Sequence, residues 1–307
     1  MPVDELYRRQ VHLLVRTIPL VAEETCLALK GGTAINLFIR DMPRLSVDID
    51  LTYLPVADRA ASLSEIDAAM RRITERIGRD LPGARVHQTA PKVETGITKI
   101  VVRADDVQTK IEVTPVLRGC VYEPQTRTVA PRVESEFGFA EIQVVSFADL
   151  YGGKIVAALD RQHPRDLFDC RDLLANEGIT DELRKAFIVY LLSHNRPFAE
   201  VLSPTRLDVR EEFERGFSGM TDKPVTVDEL VQAREDLIAD VIGRMPSDHR
   251  RFLLSVKRGE PDWALLGLAE VENLPAVRWR LKNLTKLAQP KRAKLLARLE
   301  EILNTKQ

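Results

Sequence analysis

The amino-acid sequence predicts an α+β fold, a mixed sheet with flanking helices followed by a helical C-terminal domain. Three observations predict it. Short runs of β texture are confined to the first half, at 26–29, 46–53, 84–89, 98–104, 109–117 and 142–145. Segments with helical spacing of apolar residues lie between those runs. From Ser146 onward the pattern is helical throughout, with breaks near Pro197, Pro204, Pro224, Pro246 and Pro261. The shift near residue 146 divides the chain into a sheet-bearing domain, 1–145, and a helical domain, 146–307, expected to complete the cleft.

Taken in order, residues 3–23 place Leu6, Val11, Leu14, Ile18 and Val21 at near-helical spacing, which predicts an amphipathic helix. The apolar run 26–29 is then broken by Lys30-Gly31-Gly32-Thr33. Thr33 is expected to cap a short helix over 34–40 whose free N–H groups face any phosphate at the glycine turn. Asp41-Met42-Pro43 ends that helix, because the residue before proline is pushed out of helical geometry. In the strand that follows, Val47, Ile49, Leu51 and Tyr53 point one way, and Ser46, Asp48, Asp50 and Thr52 the other. Asp48 and Asp50 then lie roughly 6.5–7 Å apart at the backbone, within reach of shared divalent cations. Two like charges on one strand face repel unless a cation compensates them. The bland reading of the pair alone is a solvated strand face.

Apolar positions 63, 66, 70, 73 and 77 predict a helix over 62–80. Glu112 stands opposite Ile111 and Val113 on a later strand, where a third carboxylate could complete a metal cluster; alone it reads equally well as a surface acid. Residues 118–140 read as a loop or weak strands. Ser146, with Asp149 three positions on, opens a helix like a capping box. Lys154, Ala158 and Arg161 share one face of it, His163-Pro164 interrupts, and a second helix runs to about 176. Lys154 and Arg161 either grip phosphates or face solvent. Asp166 and Asp169 either meet a nucleotide or form local ion pairs. Residues 274–299 carry Arg278, Arg280, Lys282, Lys286, Lys291, Arg292, Lys294 and Arg298 with no acid, and Trp279 lies among them. That stretch suits RNA backbone contacts, with Trp279 stacking on a base, and suits equally an amphipathic helix with its leucines turned inward.

Composition narrows the class. The 307 residues are 44% hydrophobic, enough for one large core or two smaller ones, and the formal net charge is −1. Cys26, Cys120 and Cys170 stand far apart with no metal-site spacing, so they read as reduced thiols. No apolar run approaches the ~20 residues that span a bilayer, and the N-terminus is too charged for a secretory signal. A cytoplasmic protein without membrane association is expected. The glycine turn is not a Walker A loop, since GxxxxGK[ST] is absent. Aspartates that bind a metal can hold triphosphate oxygens and activate an attacking hydroxyl, and phosphoryl transfer asks for little beyond positioning and positive charge.

Four motifs in order, LKGGTAINLF, RLSVDIDL, KIEVTPVL and DLYGGKIVAALDRQHPRDLFD, resemble the AbiEii-type nucleotidyltransferase toxins of type IV toxin–antitoxin systems. That group includes the mycobacterial MenT toxins and belongs to the DNA polymerase β-like nucleotidyltransferase superfamily. The resemblance covers about residues 27–172 and implies a nucleotidyltransferase domain over 1–145. It implies Mg²⁺ (or Mn²⁺) on Asp48 and Asp50, with Glu112 at the position of the superfamily's third carboxylate. It implies a triphosphate pocket lined by Gly31, Gly32, Thr33 and Ser46, phosphate contact from Lys154, an essential Asp166, and nucleotide contacts at Arg161 and Asp169. An NTP substrate, an RNA acceptor such as the tRNA 3′ end, blocked translation and a cognate antitoxin follow from the same resemblance. Arg278, Arg280, Lys282 and Lys286 are then the candidate RNA contacts. Transfer to a protein or small-molecule hydroxyl, and a non-catalytic nucleotide- or RNA-binding regulator, are the alternatives. A phosphoryl group on Ser46 would place about two negative charges beside the aspartates and repel metal and triphosphate alike.

Overall fold

A computed structural model describes residues 5–89, 96–268 and 270–304. Two compact units divide the chain, the first Met1–Leu150 with Ser218–Pro224, the second Tyr151–Phe217 with Val225–Gln307. The first unit is a seven-stranded mixed sheet with helices. Its strands are β1 (Leu27–Lys30), β2 (Asp48–Tyr53), β3 (Arg85–Thr89), β4 (Lys99–Ala104), β5 (Val107–Arg118), β6 (Gln125–Thr128) and β7 (Glu141–Val144), in spatial order β3-β4-β5-β2-β1-β7-β6. The β2/β5 and β1/β7 pairs are parallel and the rest antiparallel. β2 sits at the centre because its alternation supplies one wholly apolar face. Ile49 and Leu51 are fully buried, each worth roughly 1.5–3 kcal/mol of burial.

Helix α1 (Glu5–Ala22) packs on β5 and β7 through Val11, Leu14 and Ile18, while Leu6, expected on the buried stripe, is largely exposed. Positions 3 and 4 of the expected helix lie outside the described residues. After β1 comes α2 (Gly31–Thr33), which runs on as a π-helical turn over Ala34–Ile39, closed by Arg40 N–H donating to the Ile35 carbonyl at 2.8 Å. Helix α3 (Arg59–Asp80) buries Leu63, Ile66, Met70, Ile73 and Ile77, and the Asp58 side chain caps it. Over 118–140, expected as a loop or weak strands, the structure has the short strand β6 and, against expectation, a helix, α4 (Pro131–Phe137). Pro131 at its first turn and Gly138 after it frame the element, but seven residues hold only one apolar repeat, Val133 and Phe137, too short to register as a period. The segment 218–224 returns to this unit, with Leu45 N–H donating to the Met220 carbonyl at 2.8 Å.

The second unit is helical. It takes up α5 (Phe147–Arg161) after Leu150, followed by α6 (Pro164–Asn176), α7 (Asp181–Ser193), α8 (Phe198–Leu202), α9 (Arg210–Gly216), α10 (Val227–Ile238), α11 (Ser247–Arg258), α12 (Pro275–Thr285) and α13 (Gln289–Asn304). Its core is built from Phe168 and Leu173 on α6, Phe187 and Leu191 on α7, Leu230 and Leu237 on α10, and Phe252 on α11. Thr226 and Glu229 cap α10 reciprocally.

Candidate active site

The glycine turn and the head of β2 are built against each other. Gly31 has φ +74°, and a Cβ there would stand 2.6 Å from Asp50 Oδ2, so this position needs glycine both for its backbone and for its space. A Cβ on Gly32 would stand 2.9 Å from Arg44 Nη2 and 3.1 Å from Ser46 Oγ. Because Gly31 makes the turn, the helix starts three residues earlier than expected. Thr33 therefore does not cap it: it has helical angles, its side chain makes no capping bond, and it is buried. Its hydroxyl donates to the Asp48 carbonyl and lies 3.0 Å from the Ser46 hydroxyl, tying turn to strand. Asn36 Nδ2 donates to the Gly32 carbonyl at 2.9 Å and braces the turn from the other side.

Asp48 and Asp50 lie half-buried on one face of β2, while Ile49 between them is fully buried. Asp48 has no ion-pair partner among the described residues. Glu112 is the register partner of Asp50 on β5, so it shares their sheet face, but its carboxylate is 3.3 Å from Lys99 Nζ. Among the described residues no group of three metal-capable side chains converges. The two aspartates by themselves fit a hard divalent cation: both donors are carboxylate oxygens, and Asp50 Oδ2 lies in the space a side chain at 31 would fill.

Two cations here escaped the sequence reading. Arg44 is buried, donates from Nη1 to the Leu45 carbonyl at 2.9 Å, and lays its guanidinium beneath Gly32. Lys30 is the register partner of Asp50 and donates to Thr114 Oγ1 at 2.9 Å. Burial pushes its ammonium down, against the pull of Asp50, Cys120 and Glu112. A signal for Arg44 existed. Arg44, Ser46, Asp48 and Asp50 stand at alternate positions, so the strand period extended backward reaches it.

In the second unit Lys154 is buried, with Nζ 2.8 Å from Asp166 Oδ1 and 3.0 Å from Asp169 Oδ2. Arg161, largely exposed, reaches Asp166 with Nε at 2.6 Å and Nη2 at 3.1 Å. Burial alone would raise the Asp166 carboxyl, and Lys154 and Arg161 overcome it and hold it well below the usual carboxylate range. The packing of α5 against α6 thus joins the four sequence candidates Lys154, Arg161, Asp166 and Asp169. His163, at the interruption between α5 and α6, is half-buried and caps α6, its Nδ1 accepting from Arg165 N–H at 3.1 Å.

The basic stretch divides by side-chain direction. Arg278, Lys282 and Lys286 are exposed at four-residue spacing on α12 and its cap, and Trp279 is 60% exposed. Arg280 is corrected: its guanidinium is engaged by the carbonyls of Leu192, His194 and Arg196 at the end of α7 and lies 5.1 Å from the Phe198 ring centre. It ties α12 to α7 and α8.

A mixed sheet with a glycine turn over two alternate aspartates is the arrangement expected of a nucleotidyltransferase. Residues 12–283 match the family described as nucleotidyl transferase AbiEii toxin, type IV TA system, and the chain belongs to that family. The structure has the fold of MenT4, a nucleotidyltransferase toxin from Mycobacterium tuberculosis H37Rv: TM-score 0.60, 16% identity, covering 91% of this chain and 92% of that one. A putative nucleotidyltransferase from H. pylori matches with TM-score 0.46 and 14% identity over 80% of this chain and 100% of that one. JHP933 from Helicobacter pylori matches with TM-score 0.45 and 14% identity over 78% of this chain and 94% of that one. No curated protein sequence matches. Family membership brings with it a nucleotide substrate and an antitoxin partner. No helix among the described residues is long and apolar enough to cross a membrane.

Proposed function

We propose that this protein transfers a nucleoside monophosphate from an NTP to the 3′ end of an RNA, a tRNA acceptor end, and so blocks translation in the cytoplasm until its antitoxin acts. The observation that carries the reading is the shared face of Asp48 and Asp50 beneath Gly31. In the reaction the RNA 3′-hydroxyl oxygen gives up its proton to solvent water and forms a bond to the α-phosphorus, the α–β bridging bond breaks, and pyrophosphate leaves with that electron pair. A Mg²⁺ or Mn²⁺ ion on Asp48 and Asp50 would supply Lewis-acid stabilisation of the triphosphate and a more acidic attacking hydroxyl. Gly31 and Gly32 let the backbone approach the phosphates, and Arg44 beneath Gly32 supplies a fixed positive charge beside Ser46. Lys154 and Asp166 are the candidate functional pair of the helical unit, on the strength of the family motif. Two carboxylates engage Lys154, whose ammonium organises that cluster, and Arg44, buried beside Gly32 and Ser46, is a second candidate source of charge for the triphosphate. The exposed Arg278, Trp279, Lys282 and Lys286 support an RNA acceptor over a drug-sized one.

The test is incubation with each labelled NTP, Mg²⁺ and total RNA, beside the Asp48→Ala form. Label on tRNA with the intact protein alone is the expected result. Label on protein or small molecules instead replaces the acceptor, and no label on anything replaces catalysis with binding.

A further inference from the structure

The two aspartates belong to a longer row of charge. Lys30 on β1, Asp50 on β2, Glu112 on β5 and Lys99 on β4 are successive register partners across four adjacent strands. Register partners project to the same sheet face, so the row reads plus, minus, minus, plus across the face that carries Asp48. One row over, Asp48 is the partner of Lys110. Three acids, Asp48, Asp50 and Glu112, are thus matched by three lysines, Lys30, Lys110 and Lys99.

Contacts close the row at both ends. Lys99 Nζ lies 3.3 Å from Glu112 Oε2. Lys30 Nζ donates to Thr114 Oγ1 at 2.9 Å, and Thr114 is the next residue after Glu112 on that face of β5. The Lys30 ammonium therefore reaches across β2 to β5, alongside the Asp50–Glu112 pair. Adjacent like charges on paired strands are destabilising, and a divalent ion clasped by both carboxylates is one remedy. Here the chain supplies another. Glu112, the third carboxylate that a second ion would need, is paired with Lys99 on β4, and on its other side the Lys30 ammonium reaches past Asp50 to Thr114, two residues along β5 from it.

We propose that Lys30 stands in for a second metal ion, so that the site takes a single divalent ion on Asp48 and Asp50 and Glu112 is a member of the ion-pair row. Lys30 is then a positioning residue that keeps the Asp50 carboxylate beneath Gly31. The inference rests on the nucleotidyl-transfer reading, and counting ions separates the two.

The measurement is Mn²⁺ bound per full-length chain with a non-hydrolysable α,β-methylene NTP, read from the electron paramagnetic resonance signal of the unbound aqueous ion and corrected for the analogue alone. One ion is expected in the parent, in Glu112→Gln and in Lys30→Arg. A second is expected in Lys30→Met, where the Asp50–Glu112 pair loses its inner cation. Two ions in the parent, falling to one in Glu112→Gln, overturn the proposal and leave nucleotidyl transfer standing. A single ion in folded Lys30→Met overturns the role of Lys30. Should Lys30→Met fail to fold, the Glu112→Gln count decides, since Glu112 is exposed and its loss leaves no buried group unpaired. No bound ion in the parent overturns this proposal and the metal-dependent reading together.

Discussion

Two clusters in this molecule use the same residue types to opposite ends. Around Lys154, two aspartates, a lysine and an arginine saturate one another: Asp166 and Asp169 are 1% exposed and Lys154 is 7% exposed. Around Asp48, the charges stay half-exposed beneath a turn that only glycine can make, and Asp48 finds no ion-pair partner among the described residues. A buried ion network must be closed by the protein, because each uncompensated charge in a low-dielectric interior costs several kcal/mol. A site for a charged ligand must be left open, with the ligand as the missing partner. Loss of a member of the first cluster is therefore read in stability as well as in turnover, and of the second mainly in rate.

The largest expected effect is in the open cluster. Asp48→Ala lowers the transfer rate by about 10⁴-fold, roughly 5 kcal/mol of barrier, with little change in the melting temperature. A fall of several degrees in Tm would erase the contrast. Next, Asp166→Ala leaves Lys154 short of a partner in a buried setting and costs about 3–5 kcal/mol in a urea unfolding titration. A cost under 1 kcal/mol would mean that the cluster tolerates an opening as readily as the sheet face does.

The glycines come next. Gly31→Ala forces φ +74° on a residue with a Cβ and pushes that Cβ onto the Asp50 carboxylate, so a loss of about 1–2 kcal/mol of stability is expected together with loss of turnover. Gly32→Ala meets only the ends of Arg44 and Ser46 side chains, and the expected result is a KM for NTP raised about tenfold, or roughly 1.4 kcal/mol, with Tm preserved.

Acidity sharpens the contrast further. The folded-state pKa of Asp166 lies below its unfolded value, so its contribution to stability is fully present above about pH 4 and is lost as the pH falls through that region toward the folded value. The Tm gap between the parent and Asp166→Asn should be constant from pH 7 to pH 5 and shrink below pH 4. The smallest effect belongs to α12. Lys282→Ala is expected to weaken RNA binding a few-fold and to reduce the salt slope by about one, leaving stability unchanged. Arg280→Ala, two residues away, should instead lower stability, since its guanidinium holds the carbonyls that end α7.

That last pair shows where reading a sequence stops. Arg280 and Lys282 are equivalent in a string of letters, and only the position of the α7 terminus separates a structural cation from an exposed one. The alternation that puts Asp48 and Asp50 on one face was readable, because a strand's period of two is local geometry. So were the apolar stripe of α3 and the interruption at His163-Pro164. The start of α2 was not legible because the close approach of the Asp50 carboxylate, which leaves no room for a Cβ at 31, is a contact with a residue nineteen positions away.

By itself the sequence determined most of the elements, the shared face of the two aspartates and, through its motifs, the family and the four residues of the Lys154 cluster, since all of these are written along one chain. Tertiary structure alone decided which charges meet. The strand order places Lys30, Asp50, Glu112 and Lys99 in one row, the loop before β2 slides Arg44 beneath Gly32, and α5 against α6 closes Lys154 between two carboxylates. The reason is physical: backbone periodicity is set by neighbouring residues, whereas an ion pair depends on the separation of side chains that sheet register and helix packing bring together from distant parts of the chain.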